Sequence, residues 1–367
     1  MTNMLKYKEL RAFHPGYFVK QIIDDEGVTQ DDFAARLGTT PKTLSELVNG
    51  KINLSREMAE ALSCMLGTSV DMWLNLQKKY IERLAEIEIE KRLDEQKPYL
   101  EVIDYHYFVQ YAGLKSESSL KEKVLSLCAC LKLASLCLLG EEVCMASYRI
   151  SSQKMDWKNV ICARAWLMFA LARAKANRIV GEVDTDRLAG FIPEMRGMTM
   201  HGVLQSLPRL EEIFTSCGVT FVYLPMLKDA KISGAVKWAS DRQGVTLAIN
   251  DRFKKEDAFW FTLFHEIKHV LQRSYNRTYV SVDEDDAVMD EQDRENEKDA
   301  DQFAIDMLIS ADEYADFLAA GDFSSDAICN FSTAIGIHAG IVAGRLAKEG
   351  HVDYKEVNHL RTSFCLL

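Results

Sequence analysis

Apolar and polar positions change rhythm along the chain. From about Pro15 to Tyr80 the apolar residues come in short helical sets broken by glycines, and this spacing predicts five short helices. The second is capped by Thr29, carries Phe33, Ala34 and Leu37 on one face and ends at Gly38. The third is capped by Thr40 and has Pro41 at its first position. It turns Leu44, Leu47 and Val48 inward, leaves Lys42, Ser45, Glu46 and Asn49 outside, and closes at Gly50. Ile81–Glu95 interleaves apolar residues with charges, as a solvated helix joining domains would, and Pro98 marks its expected boundary. Residues 99–215 read as helical, most strongly over Ile161–Ile179. At Cys217 the composition turns β-branched and aromatic. Gly218–Pro225, Ile232–Ala239 and Gly244–Ile249 are three predicted strands, the last two joined by a turn at Ser240–Gly244. Helices over Asp257–Arg273 and Glu295–Leu308 follow. The expected fold is mainly α. It has a five-helix N-terminal domain (1–80), a linker helix (81–98), a helical region (99–215) and a C-terminal α+β domain (216–367) with a small three-stranded sheet.

Composition narrows this picture. The 367 residues suffice for two or three domains of ~100–200 residues. Only 6 prolines and 19 glycines argue against long flexible linkers. A net charge of −11 excludes the whole chain as a general binder of polyanions, although a local nucleic-acid-binding module remains allowed. Nine cysteines without a Cys-x-x-Cys pair read as reduced thiols. Met1–Lys8 lacks the apolar core of a signal peptide. The apolar run Val124–Leu139 contains Lys132 and is shorter than the ~20 apolar residues a bilayer requires. The expected location is the cytoplasm, without a membrane.

The strongest chemical signal is His265-Glu266-Ile267-Lys268-His269. Histidines four apart on a helix lie on one face, about one turn from each other. Both can reach one zinc ion, and Glu266 is placed to act on its water as a general base. On a helical wheel Leu263, Ile267 and Val270 form a core face, while the histidines lie on the other side with Ala258, Phe261 and Thr262. Zinc needs a third protein ligand. In the next predicted helix Ala300, Phe303, Ala304, Met307 and Leu308 form the inward face; Glu297 falls on that face, and Glu295 points roughly the opposite way. An acid on the apolar side is costly unless it is paired or binds a metal, so Glu297 is the expected third ligand. Asp301 is placed to orient a histidine from behind. His106 and His201 are isolated and expected to be structural or exposed. The oxyanion stabiliser is not readable; Tyr275, Tyr279 and His338 are the candidates, with packing the expected role of His338. Asp283–Asp301 carries 11 acids against two bases. It reads as a solvated loop entering a helix start, or as a lid that repels acidic substrates.

The second and third helices, joined by a glycine turn, have the form of a helix-turn-helix, in which the second helix enters the DNA major groove. An ordinary bundle shows the same pattern, and Pro15–Tyr80 has 7 Lys+Arg against 9 Asp+Glu, which is poor for a DNA binder. His14-Pro15-Gly16, Leu37-Gly38-Thr39-Thr40, Leu47-Val48-Asn49-Gly50-Lys51, Ala59-Glu60-Ala61-Leu62, Leu66-Gly67-Thr68-Ser69 and Trp73-Leu74-Asn75-Leu76-Gln77 resemble the HigA-type antitoxins of the XRE helix-turn-helix class. The resemblance implies binding to operator DNA as a dimer. It places Gln30 and Asn49 at phosphates, Lys42, Thr43 and Ser45 at base edges, and Thr40 and Lys51 as further contacts. From about Phe214 onward, Val236–Ala239, Phe259–Leu271, Glu297–Leu308 and Ile335–Leu346 resemble the ImmA/IrrE metallopeptidases. This implies a zincin-like, zinc-dependent endopeptidase that in some members cleaves a partner repressor. By position its ligands are His265, His269 and Glu297, and Glu266 is its base. Lys268 stands where that family usually has glycine, and its charge is expected to disfavour the metal or to meet a substrate carboxylate; Ser310 replaces a usual proline. Three functions follow: a DNA-bound regulator that cleaves a partner protein, an antitoxin whose zincin fold only masks a toxin, and a peptidase that uses its N-terminus only to dimerise.

Overall fold

The N-terminal helices begin and end where their caps dictate. They are α1 (Pro15–Glu26), α2 (Gln30–Leu37), α3 (Pro41–Val48), α4 (Arg56–Leu66) and α5 (Val70–Val102). Thr29 accepts from the Asp32 amide and Thr40 from the Thr43 amide, each satisfying a donor with no partner inside its helix. Gly38 ends α2 in the left-handed region at φ 71°, where a side chain would be strained. The computed structural model describes residues 3–141, 156–179, 181–273, 278–282 and 291–366. The chain divides into two units, Met1–Glu95 and Gln96–Leu367. In the first, Phe33, Leu44, Leu47, Leu62 and Trp73 form a buried core.

Two features of the elements described so far escaped the sequence pattern. An antiparallel hairpin, β1 (Met4–Tyr7) and β2 (Leu10–Phe13), precedes α1. Four-residue strands are too short to display an alternation, and tertiary contacts hold this pair: the Tyr7 hydroxyl donates to Asp94 at 2.5 Å, and Lys8 Nζ lies 2.7 Å from Asp94 and 3.2 Å from Glu90. Pro98, expected to mark a boundary, lies inside α5. An interior proline costs a helix about 3 kcal/mol. Past it α5 is held by packing: Gln96 accepts from the Leu136 amide at 2.9 Å and the Val102 carbonyl accepts from Cys162 Sγ at 3.4 Å.

The second unit continues with α6 (Tyr105–Ala112), α7 (Leu120–Leu131), α8 (Trp157–Ala176), α9 (Thr185–Gly190), α10 (Ile192–Gly197) and α11 (Val203–Ser216). Helix α8 is buried on all sides over Asn159–Leu167 and exposed again toward its C-terminal end. Then come β3 (Val219–Tyr223), β4 (Ile232–Trp238) and β5 (Val245–Ile249), at the three predicted places. β3 runs parallel to β5, and β4 pairs antiparallel with it. A further strand, β6 (Thr278–Val282), adds to the other edge of β4, giving the order β3-β5-β4-β6. The Pro225 carbonyl, just past β3, accepts from both the Tyr107 hydroxyl (2.6 Å) and Trp166 Nε1 (3.0 Å), which ties α6 and α8 to the sheet. Helix α12 (Glu256–Leu271) lies on the sheet and beside α13 (Glu291–Leu308). The chain closes with α14 (Ala311–Ala320), α15 (Ser325–Ile335), α16 (Ala339–Lys348) and α17 (Tyr354–Val357). Ser310, in place of the usual proline, caps α14 by accepting from the Glu313 amide. Among the described residues no single helix is long and apolar enough to cross a membrane.

Gly16 shows why His14-Pro15-Gly16 must be spelled so. His14 caps α1 by accepting from the Gly16 amide at 3.0 Å, and a Cβ on Gly16 would lie 1.9 Å from the Leu47 carbonyl oxygen. Backbone meets backbone there, so neither side can give by a rotamer change. Gly16→Ala is expected to destabilise the N-terminal unit by about 1–3 kcal/mol, read as a lower melting midpoint. Gly197→Ala, where a Cβ meets nothing within 4 Å, is the control.

Candidate metal centre

Helix α12 is buried on two sides at once. Phe259, Trp260, Leu263, Ile267 and Val270 join the core shared with Val236, Leu247 and Ile249 of the sheet. Glu266 is buried as well, toward β4. The opposite side carries His265 and His269, which are also buried, and it faces α13. That helix brings Ala300, Ala304 and Leu308 to the core and sets Glu297 against both histidines. Glu295 is exposed, as its side of the wheel predicts.

His265 Nε2 and His269 Nε2 lie 3.0 Å apart. Glu297 places its carboxylate oxygens 3.0 Å from the first and 3.4 Å from the second. The three ligand atoms all fall within 4.8 Å of one another. Ligands bonded to zinc at about 2.0–2.1 Å with tetrahedral angles would be separated by roughly 3.3 Å, so the donor set fits that ion. The outer face of the site supports the fit. Asp301 Oδ1 sits 2.8 Å from His265 Nδ1. A carboxylate only accepts, so Nδ1 carries the hydrogen and Nε2 turns its lone pair inward. Lone pairs facing one another at this distance repel unless a positive charge lies among them. Protonation behaves accordingly. Burial opposes a charge on His265, yet hydrogen bonds to Asp301 and Glu297 outweigh it and push its pKa up to about 10. Burial would raise Glu297, but its bonds to the two histidines hold it at about 2.

Glu266 is completely buried and packs on the backbone of β4. A Cβ on Gly234 would come within 2.4 Å of Glu266 Oε1. Glycine in a central strand is otherwise unfavourable, and here it marks close approach of a side chain to the strand. Beside His265 and Glu297 a cleft of about 950 Å³ opens, lined among others by Phe261, Thr262, Ile305, Ile341, Lys348 and Tyr354.

Other expected residues fall elsewhere. Lys268 does not disturb the metal position: its Nζ pairs with Asp299 at 3.1 Å and lies 5.3 Å over the Phe303 ring. His338 caps α16 by accepting from the Gly340 amide at 3.0 Å, which occupies Nδ1 in a local structural role. Tyr279 stands on β6 opposite Val236, with its side chain outside the described residues, as are Tyr275 and the acidic stretch 283–290. His106 and His201 are exposed. In the N-terminal unit Gln30, Thr40, Lys42 and Lys51 are exposed, while Thr43, Ser45 and Asn49 are half-buried. Thr40 is engaged as the cap of α3, and Asn49 Nδ2 donates to the Ser45 carbonyl at 2.7 Å. Sequence reasoning missed Gly234 and Gln272; the latter accepts from His269 Nδ1 at 3.0 Å. Neither position carries a signal in the helical wheel, because each acts on α12 through the tertiary fold or around its end.

Gly234→Ala is expected to cost about 1–3 kcal/mol of stability by expelling Glu266 from its seat. In a double-mutant cycle by denaturant unfolding, Glu266→Ala should relieve at least part of that cost, with a coupling on the order of 1 kcal/mol; strictly additive effects would refute the contact.

Two family models match separate parts of the chain. A family model described as helix-turn-helix matches residues 19–73, and the M78 peptidase model, described as the IrrE N-terminal-like domain, matches residues 217–347. An uncharacterised HTH-type transcriptional regulator of Escherichia coli, YddM, is 40% identical over 74 residues, covering 20% of this chain and 77% of its own. Virulence-associated protein A′ of Dichelobacter nodosus is 38% identical over 68 residues, 18% of this chain and 59% of its own. A crystal structure of a proposed antidote protein of a plasmid maintenance system from Nostoc punctiforme shares 30% identity over 23% of this chain and 92% of that one, with a TM-score of 0.22. The chain therefore belongs to the HTH-type transcriptional regulators, with an XRE-type helix-turn-helix domain at its N-terminus and an IrrE/ImmA-like M78 peptidase domain toward its C-terminus.

Proposed function

We propose that this regulator binds operator DNA as a homodimer in the cytoplasm and cleaves a partner protein with a zinc-dependent endopeptidase site. One observation carries the catalytic half. His265, His269 and Glu297 converge on one point, with Glu266 on the same helix and an open cleft alongside. Zinc, when bound, supplies Lewis acidity toward a water and a peptide carbonyl. The protein does the rest. Asp301 keeps the proton on His265 Nδ1 and so leaves Nε2 available as a ligand. Gly234 leaves room for the Glu266 carboxylate, whose role is to take a proton from the attacking water and return it to the departing amine. The cleft gives an extended polypeptide a path past His265 and Glu297. In the N-terminal unit α3 is the recognition helix. Lys42, Thr43 and Ser45 meet base edges, Gln30 and Asn49 meet phosphates, and Thr40 and Lys51 stand at the margin of the contact.

A second reading rests on the HigA-type motifs at His14–Gly16, Leu47–Lys51 and Trp73–Gln77. In it the protein is an antitoxin, and its C-terminal fold holds a toxin without turnover.

Purified protein is expected to carry one zinc per chain, with Glu297→Ala losing it. When the protein is co-expressed with the product of the adjacent gene, wild type should remove that product and Glu266→Ala should leave it intact, a rate loss of about 100- to 10,000-fold. Equal behaviour of the two with zinc bound would favour the antitoxin reading. In gel shifts on the promoter upstream of its own gene, Lys42→Ala and Ser45→Ala should each weaken binding by about 1–3 kcal/mol. Failure of the wild type to shift that DNA would exclude operator binding there.

A further inference from the structure

The two histidines of the centre are braced differently from behind. His265 Nδ1 faces the Asp301 carboxylate at 2.8 Å, whereas His269 Nδ1 faces the side-chain carbonyl of Gln272 at 3.0 Å. A glutamine amide can present either end to a neighbour, so by itself it would allow both imidazole tautomers. What lies beyond it removes the choice. Gln272 Nε2 is 3.0 Å from the Asn296 backbone carbonyl and 3.1 Å from Asp299 Oδ2. Both are acceptors only, so the NH2 must point at them and Oε1 must point at His269. The oxygen can only accept, so the hydrogen sits on His269 Nδ1 and the Nε2 lone pair turns toward His265 and Glu297. Asp299 is fixed in turn by Lys268, at 3.1 Å, whose ammonium lies 5.3 Å over Phe303. One run of polar contacts thus links Lys268, Asp299, Gln272 and His269 across the seam of α12 and α13.

We propose that Gln272, braced by Asp299 and Lys268, is a positioning residue that locks His269 in its Nδ1–H form with Nε2 aimed at the metal. This rests on reading the three converging side chains as a zinc site. It also assigns a use to Lys268, the odd residue of the motif. The lysine holds the carboxylate that orients the amide that orients the ligand.

The test measures zinc affinity of the full-length chain by competition with a chromophoric chelator, beside the melting midpoint of each zinc-free form. Gln272→Leu keeps the bulk and removes the acceptor; it is expected to weaken zinc binding by about 10- to 100-fold. Gln272→Glu keeps an acceptor for His269 but loses the donors to Asn296 and Asp299, so it is expected to weaken zinc binding less than Gln272→Leu does. Lys268→Ala should show a smaller loss than Gln272→Leu, in the same direction. A role in packing alone predicts the reverse order, because leucine is harmless in a packed seam while glutamate sets a second carboxylate against Asp299. Spectra of ¹⁵N-histidine-labelled, zinc-free protein should show His269 as the Nδ1–H tautomer in wild type and as a mixture in Gln272→Leu. Unchanged zinc affinity in Gln272→Leu would overturn the proposal and leave the zinc site standing. A wild type that binds no zinc would overturn both.

Discussion

Three lone-pair donors meet in a buried space between two helices, and most of the C-terminal unit is arranged to make that tolerable. His265, His269 and Glu297 would repel one another or require protons if left to themselves. Their placement is held by burial on the other side of α12, where Leu263, Ile267 and Val270 lock the helix to the sheet. Helix α13 is held by Ala300, Ala304 and Leu308, small and apolar enough to bring Glu297 to the histidines. Buried polar groups are costly when half satisfied. Here Asp301 and Gln272 take the outer ring nitrogens, so the inner ones are left for a single shared purpose.

Close backbone approach recurs at the positions that matter. Gly234 lets a fully buried carboxylate rest on a central strand, and Gly16 lets the start of α1 meet the Leu47 carbonyl at the end of α3. His14 and His338 use the same local device, a histidine cap accepting from a glycine amide two residues on. A motif histidine can therefore look chemical in the sequence and serve only to start a helix.

The middle helices belong energetically with the peptidase-like layer. Tyr107 and Trp166 share the Pro225 carbonyl, in the connection that leads from β3 to β4, the strand that seats Glu266. Two buried aromatic donors on one acceptor anchor that connection firmly, since leaving either unmatched would cost about 1–3 kcal/mol. Packing of α6 and α8 thus reaches the floor of the site in part through this connection.

Local rules in the sequence determined the caps Thr29 and Thr40, the helical faces, the three strands and the pairing of His265 and His269 on one side of α12. These depend on residues within a turn or two of each other, so period and spacing are enough. Glu297 was also legible, because an acid on an apolar face carries its own cost. Other features were decided only by the tertiary structure. The hairpin β1–β2 depends on Asp94 and Glu90, more than eighty residues away. Pro98 remains helical because packing outweighs its intrinsic penalty. Gly234 matters only once Glu266 lies on it. Lys268 reads as a threat to a metal until Asp299 is brought within 3.1 Å across the helix seam. Each depends on long-range contacts whose partners no local period encodes.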